Sequence, residues 1–211
     1  SGDLIEKAYL IGFRLGDLGV RKIYPNSKTI SVASGSTIKE QIELIKGLFK
    51  KYGKVRIKTS ESNRTNIWVA LNKSFEFLLS KEIPGWIEKD KNTFLAFLAG
   101  FTDAEGNIGV YNKQAVFQIG NYEKNILLFI SKNLNNLDIV CRGPYESFTE
   151  KYIHREGYRY NQNYFQIRIN RKDSLLELFK LIKPYIKHKN KIKALKKAEN
   201  NIIKRNIKYG N

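Results

Sequence analysis

The sequence predicts an α+β chain made of two pseudo-symmetric copies of one unit, α-β-β-α-β-β-α, with antiparallel sheets. Three observations predict it. Short segments alternate apolar and polar residues with period two, as strands do. Segments between them space apolar residues three and four apart, as helices do. The order of these segments then restarts after Pro84-Gly85. At 211 residues the chain is long enough to bury a core without disulfide or zinc staples.

Asp3-x-x-Glu6 is a capping-box pattern and opens a helix over residues 4 to 17. Pro25 and Asn26 mark a turn before a strand over Thr29 to Ala33, and the stretch just after Asp17 adds a short strand. Thr37-x-x-Glu40 reads as a second capping box, followed by Ile38, Ile42, Ile45 and Phe49 at helical spacing, with Gly53 as the stop. Strands follow over Lys54 to Thr59 and Thr65 to Leu71, then a short helix over Ser74 to Leu79. The second copy has a helix over Thr93 to Glu105, strands over Ile108 to Ile119 broken at Asn112-Lys113, and a helix over Tyr122 to Leu134. It continues with strands over Asp138 to Arg142 and Tyr158 to Ile169, and a helix capped by Ser174-x-x-Glu177 that ends at Pro184. The expected division is 1–84, a linker over 85–92, 93–186, and a basic helical tail over 187–211.

Lys and Arg number 38 against 20 Asp and Glu, a net charge of +18. An excess spread over the whole chain implies a polyanionic partner, with nucleic acid first. Mean hydropathy is −0.44, and no apolar run of about 18 residues occurs, which excludes a membrane-spanning helix. The start carries no secretory pattern, and Ser1-Gly2 reads as a processed or expression-derived end. Cys141 is the one cysteine, which excludes a disulfide framework and a multi-cysteine zinc site and suits a reducing intracellular compartment. With two histidines, His154 and His188, a histidine-rich metal site is equally excluded. Carboxylates and lysines are left as the candidates for chemistry.

The strands point one face at the helices. Val55 and Ile57, Ile67, Val69 and Leu71, and Phe165, Ile167 and Ile169 form the apolar sides. The other sides carry Ser31, Lys54, Arg56, Lys58, Asn66, Trp68, Gln114, Gln118, Arg142, Tyr164, Gln166 and Arg168. A merely solvated face mixes both charge signs, whereas these stretches hold almost no Asp or Glu. They are therefore expected to dock on DNA, with Arg and Gln reading base edges in a major groove.

Two helices share a signature. Residues 10–18 read LIGFRLGDL and residues 98–106 read LAGFTDAEG. One interval separates Gly12 from Gly100, Gly16 from Ala104 and Asp17 from Glu105. Small residues four apart share a helical face and let two backbones approach closely. Asp17 and Glu105 close their helices at the negative dipole end, an arrangement that costs about 0.3–1 kcal/mol each. Bound cations would account for it. Oxygen donors without Cys or His favour Mg²⁺ over zinc, and hard cations beside a basic surface imply phosphodiester hydrolysis.

LAGFTDAEG resembles the LAGLIDADG signature of homing endonucleases, and LIGFRLGDL resembles a degenerate first copy of it. The likeness covers nearly the whole chain, in the single-chain, two-repeat form. It implies a saddle of two antiparallel sheets over double-stranded DNA with a long specific target, and motif helices packed at the centre. It implies a monomer needing no protein partner, and cleavage of both strands with short 3′ overhangs. It further implies two or more Mg²⁺ ions, replaceable by Mn²⁺ or Ca²⁺ for binding, held by Asp17 and Glu105 with the carbonyls of Gly16 and Ala104. Asn121 matches the water-positioning place after the second strand, and Ser34 matches it less closely in the first repeat. Lys189 matches the lysine that supports the transition state; its first-repeat counterpart is Lys89 or Lys91. The motif copies differ at Leu15, where the second has Asp103, and at Leu18, where the second has Gly106.

His154 falls in a polar insert over Thr149 to Tyr160 and is expected to face solvent or a phosphate; His188 is expected at the surface or on DNA. In the tail, Ile192, Leu195, Ala198 and Ile202 form one stripe of an amphipathic helix whose other side is lysine-rich. Two alternatives stand beside the endonuclease on the same fold: an intron RNA maturase, and a DNA-binding regulator without cleavage.

Overall fold

The computed structural model describes residues 2–154, 156, 157 and 159–209, the last two for their backbone alone. The elements run α1 (Leu4–Asp17), β1 (Gly19–Lys22), β2 (Ile30–Ser36), α2 (Lys39–Phe49), β3 (Arg56–Thr59), β4 (Thr65–Leu71) and a 3₁₀ helix (Lys73–Leu78). They continue with α3 (Lys91–Glu105), β5 (Asn107–Tyr111), β6 (Gln114–Asn121), α4 (Lys124–Asn135), β7 (Arg142–Phe148), β8 (Tyr164–Ile169), α5 (Lys172–Ile182) and α6 (Lys189–Tyr209). Among the described residues no helix is long and apolar enough to cross a membrane.

The repeat read from the sequence is met in the topology. One sheet has the order β1-β2-β4-β3 and the other β5-β6-β8-β7, every pair antiparallel. Each sheet has one apolar face under helices. In the first, Ile30, Val32, Ile67, Val69 and Leu71 are buried; in the second, Phe117, Ile119, Ile167 and Ile169 are buried. The β5–β6 hairpin turns through Asn112 and Lys113, both at positive φ, the backbone that a two-residue turn matched to strand twist requires.

The chain forms two compact units, residues 1–104 with 187–190, and residues 105–186 with 191–211. The unit boundary therefore differs from the repeat boundary: all of α3 but its last residue belongs with the first repeat. In the first unit α1 and α3 touch through their glycines. A Cβ on Gly12 would strike the Phe97 carbonyl and the Phe101 amide, and a Cβ on Gly100 would strike the Tyr9 carbonyl. The small-residue face was needed for this contact, as the signature implied. Tyr9 stacks with Phe13 and Phe97 with Phe101, each pair at 13° between planes, so the motif repeats its aromatics as well as its glycines.

Several expectations are corrected. Of the three expected capping residues Asp3, Thr37 and Ser174, only Asp3 acts as a side-chain cap of its helix, accepting from Ile5 N–H at 2.9 Å, while Glu6 meets Tyr52 and Lys51. α2 begins after Ile38, with Ser36 Oγ accepting from the Ile38 amide, so Thr37 and Glu40 form no box. α5 begins after Arg171, and Ser174 Oγ instead accepts from Val140 N–H, tying the helix to the segment before β7. Ile57 is 41% exposed on β3, an edge strand whose four residues are all exposed. The strand expected over Asp138 to Arg142 lies later. Gly143-Pro144, which reads as a breaker, is inside β7, where a proline costs no ladder bond at a sheet edge and Gly143 supplies φ +101° at an irregular register. Tyr158, expected as a strand start, lies outside the described residues.

Candidate active site and nucleic-acid interface

Asp17 closes α1, and Leu18 leads straight into β1. Two elements meet it. Gln41, buried on α2, donates through Nε2 to Asp17 Oδ2 at 2.6 Å. Ser34 on β2 lies close enough to favour the ionised carboxylate, although its Oγ completes no hydrogen bond of normal geometry. Burial pushes the Asp17 carboxyl above its usual range, against the opposing pull of Gln41, Ser34 and Arg64. Part of the helix-end cost is offset locally: Arg14 donates to the Leu18 carbonyl at 2.7 Å and to the Leu78 carbonyl at 3.1 Å. Asp17 opens into a cleft of about 390 Å³, lined also by Ser34, Arg64, Asn66 and Trp68. Four residues singled out in the sequence, Asp17, Ser34, Asn66 and Trp68, thus come together. Gln41 and Arg64 were missed: Gln41 looked like one more polar position in an amphipathic helix, and Arg64 like a turn residue.

Glu105 closes α3 as Asp17 closes α1, one residue before β5, whose Asn107 pairs with Gln118. Asp103 explains why the two motifs differ. It is 1% exposed, and its Oδ2 accepts from Tyr9 Oη at 2.6 Å, Lys187 N–H at 2.7 Å and His188 N–H at 3.1 Å. Burial first, then Asp103, raises the Tyr9 phenol well above its ordinary pKa. His188, expected at the surface, is 4% exposed, and its Nδ1 accepts from Asn190 N–H at the start of α6. His154 is half-buried against Phe148 rather than fully open, and Nδ1 accepts from Glu156 N–H at 3.3 Å.

Cross-strand register puts the predicted reading residues on common faces. In the first sheet Trp68 lies opposite Ala33 and Arg56, Asn66 opposite Gly35 and Lys58, and Ala70 opposite Ser31, itself opposite Arg21. That face holds three cations and no acid. In the second sheet Gln118 lies opposite Asn107 and Arg168, and Gln166 opposite Gly120 and Tyr145. Arg142 lies directly opposite Arg168, and Arg168 Nε has no hydrogen-bond partner among the described residues. Like charges so placed destabilise a sheet until an anion meets them. Lys54 is exposed just before β3. Gln114, at the start of β6, lines a separate cleft with Lys172 and Arg205. Tyr164 is held in an aromatic cluster with Tyr122 and Phe148, across Gly120, rather than standing free.

The other expected residues are not among those that line the Asp17 cleft. Asn121 is on the helix-packed face, opposite Phe165, and its Oδ1 accepts from Glu123 N–H at 2.8 Å, an engagement that competes with holding a water. Lys189 opens α6 and lines a cleft with Glu6, Glu40, Glu43 and Lys51. Lys187 lies 4.0 Å over the Tyr9 ring, and burial of its ammonium lowers its pKa although the residue as a whole is exposed. Lys91 begins α3 and Lys89 precedes it, so both lie at the far end of that helix from Glu105. Among the described residues no three His, Cys, Asp or Glu side chains cluster as a metal site.

Two four-stranded antiparallel sheets in one repeated order, with paired signature helices, form the fold of the single-chain LAGLIDADG homing endonucleases. I-DmoI, solved in complex with DNA and Ca, is similar at 18% identity and TM-score 0.59, over 92% of this chain and 98% of that one. I-WcaI, bound to its DNA recognition sequence, is similar at 19% identity and TM-score 0.60, over 90% of this chain and 86% of that one. Full-length DUF199/WhiA from Thermotoga maritima has 16% identity and TM-score 0.59, over 97% of this chain and 62% of that one. In sequence, the chain is 29% identical over 178 residues to an uncharacterised protein of Methanocaldococcus jannaschii, covering 81% of this chain and 63% of that one. The chain thus spans less than two thirds of the length of that relative. No family model matches.

Proposed function

We propose that the chain is a site-specific double-strand DNA endonuclease of the homing type, acting as a monomer in a reducing intracellular compartment. The observation that carries this reading is the acid ending each signature helix, in a chain whose sheet faces gather cations without acids. Similarity to I-DmoI and I-WcaI, both solved with DNA, supports a DNA partner. The fit of a divalent ion is tested on Asp17: a half-buried carboxylate that burial disfavours as a charge, offered only neutral or distant compensation by Gln41, Ser34 and Arg64, suits an oxygen-seeking cation. Asp17 with the Gly16 carbonyl, and Glu105 with the Ala104 carbonyl, are the donors that would hold such ions.

When bound, the ions activate water and stabilise charge on the phosphate. The protein's own residues do the rest. Gln41 fixes the Asp17 carboxylate through Oδ2. Arg56, Lys58, Arg142 and Arg168 draw in the backbone, while Asn66, Gln118 and Gln166 offer the donor–acceptor pairs that distinguish bases. Cleavage of both strands leaves short 3′ overhangs.

One observation favours the second reading, a regulator that binds without cutting. Gln41 already occupies Asp17 Oδ2, which works against metal capture. Single variants separate the readings. Asp17→Asn and Glu105→Gln are each expected to keep DNA binding and lose double-strand cleavage by about 10²–10⁴-fold. Cleavage at the wild-type rate by both would overturn the assignment, and absence of cleavage by wild type on any sequence would favour the regulator.

A further inference from the structure

The tail helix carries charge that the sheet faces do not explain. α6 packs Leu195, Ala198 and Ile202 into the second unit, all nearly inaccessible. On the opposite side, Lys193, Lys197, Asn200 and Lys204 fall in one line, since steps of four, three and four residues return to nearly the same angle on a helix. The line is about 16 Å long at 1.5 Å per residue. With Lys196, Asn201 and Val110 of β5 it borders an open groove of about 530 Å³. Val110 shares its side of β5 with buried Ile108, so this groove is on the helix side of the sheet, away from the face of Gln118 and Arg168.

Among the described residues nothing answers this charge. Glu199, the one acid in α6, is held by Lys183 at 3.0 Å. Among the described residues no carboxylate pairs with the groove lysines. Lysines one turn apart repel one another, so the stripe works against the helix in the free protein. The chemistry also differs from that of the sheets. Lysine is a compact point charge that meets phosphate without a fixed geometry, and apart from the short carboxamides of Asn200 and Asn201 this face has no side chain suited to reading a base edge. A bilayer is a poor occupant because most of the apolar stripe, Leu195, Ala198 and Ile202, is already buried, which among the described residues leaves only Ile203 and Ile207 of this helix's large apolar side chains exposed.

We propose that the α6 lysine stripe is a second, sequence-blind surface for the phosphate backbone of duplex DNA, distinct from the sheet faces. This rests on the DNA-binding reading above. Along duplex DNA a charge recurs about every 1.7 Å of axis, so a line of this length meets phosphates at every turn of the helix.

The test uses the full chain and a random-sequence duplex, with binding followed by fluorescence anisotropy over a sodium chloride series. Two variants are compared with wild type, one with Lys193, Lys197 and Lys204 changed to Gln and one with the same three changed to Arg. The Gln variant is expected to show a log–log salt slope shallower by about 2–3, at about 0.9 for each phosphate no longer neutralised, and the Arg variant to match wild type. An unchanged slope in the Gln variant, with wild type binding the duplex, overturns the proposal. So does a Gln variant that keeps duplex binding but loses binding to phosphatidylglycerol vesicles. Failure of wild type itself to bind duplex would instead remove the DNA-binding reading on which this one stands.

Discussion

Asp17 and Asp103 are both acids in the last turn of a signature helix, and the fold treats them in opposite ways. Asp103 is fully enclosed and accepts three hydrogen bonds, two of them from backbone amides of the returning segment at 187–188. Asp17 is half-buried, accepts one short hydrogen bond from Gln41, and faces a cleft. A carboxylate met by donors from its own chain is a strut. One raised in pKa by burial, with its remaining neighbours too weak to compensate, has its counter-charge still to come. The same division runs through the cations: Arg14 serves carbonyls of its own unit, whereas Arg142 and Arg168 face each other.

The strongest way to break this comparison is Asp103→Ala. Removing an acceptor that three donors share, two of them in buried hydrogen bonds, is expected to cost about 3–5 kcal/mol of unfolding free energy, measured in urea, and to loosen the start of α6. Asp103→Asn, which keeps a carbonyl for the two amides, should lose less. A loss below about 1 kcal/mol for the alanine would show that Asp103 is no strut. Next in size, Gly12→Ala and Gly100→Ala each push a methyl into the partner helix's backbone, which cannot give way as a side chain can. A loss of about 1–3 kcal/mol is expected for each, read as a lower Tm.

Smaller effects carry the opposite sign. The raised pKa of Asp17 means that the folded state holds its proton more tightly than the unfolded chain. That penalty begins as pH rises through the unfolded carboxylate value of about 3.9 and is complete above the folded value. Asp17→Asn should therefore be more stable than wild type at pH 7 in EDTA, by up to about 1 kcal/mol, with the difference fading below about pH 4. A variant less stable than wild type throughout would class Asp17 with Asp103. Smallest of all, Arg142→Gln relieves a cross-strand repulsion and should stabilise the free protein by about 0.2–1 kcal/mol while weakening duplex binding. A less stable variant with unchanged binding would remove the sheet face from the interface.

Much of this was legible in the sequence because it was written twice. The strands of both sheets, the paired glycines and the terminal acids each recur, so a second copy could support a weak first one. What was not legible lay where one copy acts alone. Asp103 looked like a motif variant because its donors lie more than eighty residues away in the chain. His188 looked exposed amid lysines, but its neighbours in space are α3 and the start of α6. β7 was misplaced because Gly143-Pro144 is punctuation in a sequence and a tolerated irregularity at a sheet edge. Thr37, Glu40, Ser174 and Glu177 matched a capping pattern that the ends of α2 and α5 do not use, since Ser36 and tertiary contacts set those ends first.

The central claim is that the chemistry resides at the Asp17 end of α1 and the Glu105 end of α3. The most direct measurement incubates wild type, Asp17→Asn and Asp103→Asn with a randomised duplex library and Mg²⁺, then sequences the molecules cut in both strands. The account predicts one long consensus site from wild type, the same site at reduced yield from Asp103→Asn in proportion to its folded fraction, and no enriched site from Asp17→Asn. The same consensus from Asp17→Asn at wild-type yield would contradict it.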